Sequence, residues 1–151
     1  MILEPNGNLY LCAVARILAI DYGNKRTGLA VTDPLQIIAN GLTTVATTEL
    51  LPFLENYFAE EAVEIVVIGE PLHADGSPTQ LMPHIVGLSR KIKKMQPGIT
   101  VVLQDERFTS SMAKDAILQS GVGRKKRRDK GLVDKVAATI ILQEYLEAHK
   151  Y

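Results

Sequence analysis

RILAIDYGNKRTGLAVTD, residues Arg16 to Asp33, is the stretch on which the reading of this chain turns. Arg16 to Ile20 is a short apolar run that ends on Asp21, and Gly28 to Val31 is a second. The loop between them is too short for a helical crossover, so the two runs pair antiparallel. A carboxylate just past the end of a buried strand, beside Lys25 and Arg26, suits a site that handles phosphate and a hard metal. The same letters are also ordinary hairpin chemistry, because Gly and Asn tolerate positive φ and Asp bonds its own turn. The rest of the sequence has to choose.

Working outward, Ile37 to Val45 continues as a third extended segment, with Asn40-Gly41 as a candidate bulge or turn. At Thr48, a candidate N-cap, the period changes: Leu50, Leu51, Leu54, Tyr57 and Phe58 line one helical face. Glu64 to Ile68 (EIVVI) has the β-branched character of a central strand buried on both faces, and it ends at Gly69-Glu70-Pro71. After the turn Asp75-Gly76-Ser77-Pro78, helical spacing returns over Leu81 to Met95 and stops at Gly98. Thr100 to Gln104 (TVVLQ) reads as another short buried strand. Thr109, Ser110 or Ser111 caps the next helix, whose expected apolar face includes Met112, Ala116 and Ile117. Gly121-Val122-Gly123 ends it. The last helix is expected from about Leu132 to Glu147, burying Val133, Val136, Ala137, Ile140, Ile141 and Tyr145.

This order implies an α/β fold with a mixed five-stranded sheet, a three-strand antiparallel meander plus two parallel strands, and helices on both faces. Residues 1–15, with a Pro-Asn-Gly turn signal and no clear period, are expected to be a loose N-terminal extension, and 16–151 a single domain.

Composition narrows the function classes. The chain has 151 residues, 46% apolar and 23% charged, and is expected to be globular and ordered. The single cysteine, Cys12, excludes an internal disulfide and a cysteine-based zinc cluster. Met1 to Ala15 lacks the basic start and long apolar core of a signal peptide, and no run approaches the ~20 apolar residues of a membrane span, so a cytoplasmic protein without membrane contact is expected. The formal net charge of zero hides a block at Arg124 to Lys130 (RKKRRDK) holding six of 17 basic and one of 17 acidic residues, which leaves eleven basic against sixteen acidic elsewhere. A concentrated basic segment on an acidic body points to a polyanionic partner.

Asp21, Glu70 and the Asp105-Glu106 pair all fall at or just past strand carboxyl ends, where open α/β sheets build their sites. Carboxylates at close range stay ionised only if a cation compensates them. An all-oxygen set without His or Cys suits magnesium or manganese, and one or two such ions can activate water for phosphodiester cleavage. Asp134, in the first turn of the last helix, is the candidate convergent partner. Its bland role is stabilisation of the helix end. Yet Ala137, Ala138, Ile141 and Leu142 share its face, so that face is the packed one. Arg124, Lys125, Lys126, Arg127 and Arg128 would hold a phosphate backbone without base specificity, or would be a solvated loop. Lys25, Arg26 and Arg107 either clamp phosphate or neutralise neighbouring carboxylates. His73, His84 and His149 have no ligand spacing.

Four motifs in order, IDYGNKRTGLAVTD at 20–33, VIGEPLHADGSP at 67–78, DERFTSSMA at 105–113 and VDKVAATIILQEYL at 133–146, resemble those of the YqgF (RuvX) group of the RNase H-like superfamily, relatives of the RuvC Holliday-junction resolvases. The resemblance covers nearly all the chain from Arg16 onward. It implies an RNase H-like fold, a divalent-metal nuclease and a role in maturing the 5′ end of small-subunit ribosomal RNA. It also implies an acidic triad of Asp21, Glu106 and Asp134, with Arg107 and Thr109 beside the second carboxylate. Glu70 stands where the family pattern commonly has an apolar residue, which leaves open whether Glu106 alone supplies the middle ligand.

The leading expectation is therefore a Mg2+- or Mn2+-dependent endonuclease acting on structured nucleic acid, most specifically a ribosomal RNA precursor, as a monomer or weak homodimer. One rival is a resolvase of branched DNA. Another, of a different class, is an RNA-binding assembly factor without cleavage activity. An actin-like ATPase would share the Asp-x-Gly turn but needs a second nucleotide-clamping domain.

Overall fold

The computed structural model describes residues 2–3, 9–10, 15–105, 109–121, 123 and 129–149. Two short strands, β1 (Ile2–Leu3) and β2 (Leu9–Tyr10), pair antiparallel in a ladder separate from the main sheet. The main sheet contains β3 (Arg16–Asp21), β4 (Arg26–Thr32), β5 (Ala39–Ala46), β6 (Val63–Glu70) and β7 (Thr100–Asp105), in the order β5-β4-β3-β6-β7. β5, β4 and β3 form the antiparallel meander, and β6 and β7 extend it in parallel from β3. Among the described residues the α-helices are α1 (Leu50–Glu60), α2 (Met82–Met95), α3 (Thr109–Gln119) and α4 (Lys130–Ala148). This is the α/β architecture that the period changes imply.

Alternation along the strands sends two sets of side chains to two faces. Leu18, Ile20, Leu29, Val31, Val66 and Ile68 join Leu50 and Leu54 of α1 and Ile85, Leu88 and Ile92 of α2 in one core. Ile17, Ala19, Ala30 and Val67 join Ala138, Ile141, Leu142 and Tyr145 of α4 in the other. β3 is the point where the chain turns from one side of the sheet to the other, and Asp21 ends it.

Several local expectations are corrected. β7 is not buried: it is the sheet edge, Thr100, Leu103 and Asp105 are exposed, and the remaining residues are half-buried. On α3 the buried pair is Ala113 and Ile117, four residues apart, while Met112 is 44% exposed and Ala116 is exposed too. Thr48 does not cap α1. Thr47–Glu49 form a 3₁₀ turn, and Thr47 Oγ1 instead donates to the Gly23 carbonyl at 2.6 Å. α4 starts at Lys130 because Asp129 caps it, accepting from Gly131 N at 2.9 Å. In α4 the fully buried residues are Ala137, Ala138, Ile141, Leu142 and Tyr145, with Val133, Val136 and Ile140 half-buried.

The third strand starts at Ala39 rather than Ile37, because the Asp33 carboxylate accepts the backbone N–H groups of Leu35, Ile37 and Ile38 and folds that segment into a loop. Leu29 pairs with Thr43 and Ala30 with Gly41, so the ladder has a bulge at Leu42, beside the expected Asn40-Gly41.

Candidate active site

The site is built on one row of residues across three strands. Asp21 lies opposite Gly28, and Gly28 lies opposite Thr44. Directly opposed residues of antiparallel strands point to the same face, and Ala19 and Ala30, one pleat further in, belong to the core beneath α4. The row therefore faces α4.

The first turns of α4 lie across this row. Thr44 Oγ1 donates to the Gly131 carbonyl at 2.5 Å and fastens the helix start to β5. A Cβ on Gly28 would fall on the carbonyl of Asp134 and within 3.0 Å of Lys135 N. Only glycine admits the helix backbone this close to a strand. The chain thus brings Asp134 against the residue that Asp21 faces, across more than a hundred positions of sequence. Arg26, two residues from Gly28 and on the same face, completes the group by donating Nε to Asp134 Oδ2 at 2.9 Å.

The loop joining β3 and β4 is held tightly. A Cβ on Gly23 would fall on the Arg26 carbonyl, Thr47 N donates to the Lys25 carbonyl at 3.0 Å, and the Thr47 and Thr27 hydroxyls are bonded at 3.0 Å. Asp21 and Arg26 consequently leave a rigid frame.

The model of the family described as "RuvX: Holliday junction resolvase" matches residues 15–148. The chain belongs to the RuvX family. A Flavobacterium johnsoniae relative named "Putative pre-16S rRNA nuclease" is 50% identical over 136 residues, spanning 90% of this chain and 99% of that protein. One from Christiangramia forsetii with the same name is 53% identical over 133 residues, spanning 88% and 98%. Among solved structures, T. thermophilus RuvC in complex with a Holliday junction substrate superimposes with a TM-score of 0.52 at 15% identity, covering 89% of this chain and 95% of that one. This chain thus shares the RNase H-like fold of RuvC.

Glu70 lies on the other side of the RuvX sheet from Asp21. Ile68 and Ile20 are in register and both enter the core beneath α1 and α2, so Glu70 falls on that face and Asp21 on the face of α4. Asp105, in register with Glu70, shares its side by the same alternation. Sequence position at strand ends could not separate these carboxylates; the pleat does.

The remaining expected site residues are placed as follows. Lys25 is exposed in the loop beyond Asp21, and Thr109 is the first residue of α3. Glu106, Arg107, Arg124, Lys125, Lys126, Arg127 and Arg128 lie outside the described residues. Among the described residues, no three His, Cys, Asp or Glu side chains form a group that could hold a metal; of the three carboxylates expected from the sequence, Asp21 and Asp134 are described. Their fit to a hard cation rests on the donor set: Asp21 stands on the face that α4 covers, Asp134 lies in the helix turn packed against Gly28, and the Arg26 guanidinium stands against the Asp134 carboxylate. The residues that sequence reading passed over are Gly28 and Thr44. A glycine inside a strand pattern, signalling close backbone approach, was the available clue for the first.

Proposed function

We propose that this chain is a divalent-metal-dependent endonuclease that hydrolyses phosphodiester bonds in structured nucleic acid, and that its substrate is the precursor of small-subunit ribosomal RNA, cut in maturing the 5′ end. The observation that carries this reading is the packing of the Asp134 turn of α4 against Gly28, the residue opposite Asp21. It is supported by the names of the relatives and by their coverage from end to end. Glu106, directly after β7, is assigned as the third carboxylate.

In this reading Asp21, Glu106 and Asp134 hold one or two Mg2+ or Mn2+ ions. Such ions lower the pKa of bound water and stabilise the leaving oxygen of an in-line displacement. The chain's own part is to fix the two described carboxylates on a rigid frame. Lys25 and the basic segment Arg124 to Arg128 would supply the positive charge for phosphate-backbone binding that weakens steeply with salt. Arg107 and Thr109 flank the second carboxylate. No covalent protein intermediate is needed, and the reaction belongs in the cytoplasm, where precursor ribosomal RNA is made.

The test is cleavage of precursor RNA by wild type, Asp21→Asn and Asp134→Asn, with Mg2+, with Mn2+ and with chelator. Loss of about a hundredfold or more in kcat is expected for each variant at unchanged melting temperature. Full turnover by a folded Asp21→Asn protein would falsify the assignment. The family's description favours a second reading, cleavage of a four-way DNA junction. A junction assayed beside the RNA separates the two, since symmetric resolution needs paired sites and hence a dimer at working concentration. Salt-sensitive RNA binding, indifferent to metal and without cleavage, would instead indicate an assembly factor.

A further inference from the structure

The face that carries Asp21, and across which α4 lays Asp134, also carries a cation of its own. The Arg26–Asp134 pair is half-shielded, with side chains 41% and 22% exposed. As a contribution to stability such a pair counts for little. Its place is what matters, because it occupies a carboxylate oxygen that a divalent cation at this centre would need. Carboxylates gathered on one face require compensating positive charge, and Arg26 supplies it to Asp134 from within the chain. Its backbone is locked by the tight loop after Gly23 and by pairing with Ala46. The long side chain above that fixed root remains free to change partners.

We propose that Arg26 is the resident counter-ion of the acidic centre: it holds Asp134 until a divalent cation takes that carboxylate, and its released guanidinium then pairs with a phosphate of the substrate strand. The inference rests on the metal-site reading above and gives one residue two successive partners. A guanidinium suits both, since its planar fork matches carboxylate and phosphate oxygens alike. Cation entry must displace Arg26. Removing its charge should therefore tighten cation binding, opposite in sign to what loss of a merely structural contact would do.

The experiment is calorimetric titration of Mn2+ into wild type, Arg26→Gln, Arg26→Lys and Asp21→Asn, each confirmed folded by thermal melting, followed by RNA cleavage at saturating Mn2+. Arg26→Gln is expected to bind Mn2+ about five- to tenfold more tightly at low ionic strength, and Arg26→Lys to stay within about twofold of wild type. With RNA, Arg26→Gln is expected to raise KM about fivefold with a smaller change in kcat, and Arg26→Lys to recover most of it. Equal or weaker Mn2+ binding by Arg26→Gln overturns the counter-ion role. Unchanged KM overturns the transfer to phosphate. Should Arg26→Gln fail to fold, Arg26→Met takes its place, judged by the same two results. Failure of the underlying metal reading looks different: wild type then binds no Mn2+, or Asp21→Asn binds it as well as wild type.

Discussion

The two faces of the sheet are built from different side chains. Beneath α1 and α2 the strands present Leu18, Ile20, Leu29, Val31 and Ile68, and the helices answer with Leu50, Leu54, Ile85 and Ile92. Beneath α4 they present Ala19, Ala30 and Gly28 toward the strand ends, with Ile17 and Val67 further in, and the helix answers with Ala138 before larger residues resume at Ile141. Helix-to-sheet distance follows the size of the side chains at the contact. The first face buries much apolar area and carries stability. The second gives up area at its strand-end edge so that a helix backbone, and with it Asp134, reaches the end of β3. With the proposed site, stability and chemistry fall on opposite sides of the same strands.

The sharpest way to break that division is Gly28→Ala. The added methyl meets the Asp134 carbonyl rather than a yielding side chain, so α4 must move. A loss of about 3 kcal/mol in urea unfolding is expected, at the upper end for overpacking. Cleavage should fall about a hundredfold, the scale associated with ångström-level misplacement of a catalytic group. A Gly28→Ala protein with wild-type stability and turnover would mean that the close approach of α4 has no functional weight.

Leu54→Ala probes the other face. Leu54 is fully buried beneath α1, and its truncation is expected to cost about 3 kcal/mol by urea unfolding. The folded protein should nevertheless keep its activity within about twofold, because Leu54 packs in the core on the face of the sheet opposite the row from Asp21 to Thr44. A large drop in kcat here would show that the faces are mechanically coupled.

This division was only partly legible in the sequence. The buried strands β3 and β6 declare themselves by continuous β-branched and aliphatic runs, and the change to helical spacing at residues 48–58 is equally plain. Asp21 and Asp134 were legible as candidates, the latter through the small residues on its helical face. β7 misled because TVVLQ reads as an interior strand: burial depends on having a second neighbour, which no local pattern encodes. Met112 and Ala116 misled because α3 turns Ala113 and Ile117 inward, and that rotation is set by its packing along α4. Glu70 needed the register of β3 against β6, including the shift between Arg16 and Ile17, before its alternation could be compared with that of Asp21. The pairing of Arg26 with Asp134 needed the whole fold.

The smallest expected effect concerns a charge that the α4 face accommodates poorly. Partial burial raises the Glu144 carboxyl above the ordinary glutamate range, the nearby Asp105 and Glu147 charges add to this, and a hydrogen bond from Gln104 opposes it. Gln104 also donates Nε2 to the Ile141 carbonyl at 2.9 Å, tying the edge strand to α4 at this point. A carboxyl raised on folding binds its proton more tightly in the folded state, so ionised Glu144 disfavours folding. The penalty is present in full above the folded pKa and is relieved as pH falls through it toward the unfolded value. Glu144→Gln should therefore be the more stable protein at pH 7, by less than about 0.5 kcal/mol because the group is largely solvated. The advantage should vanish near pH ~3, where both side chains are neutral. Urea unfolding of the two proteins across that range measures it, and a glutamine variant less stable than wild type at pH 7 would show that the Gln104 bond outweighs the burial.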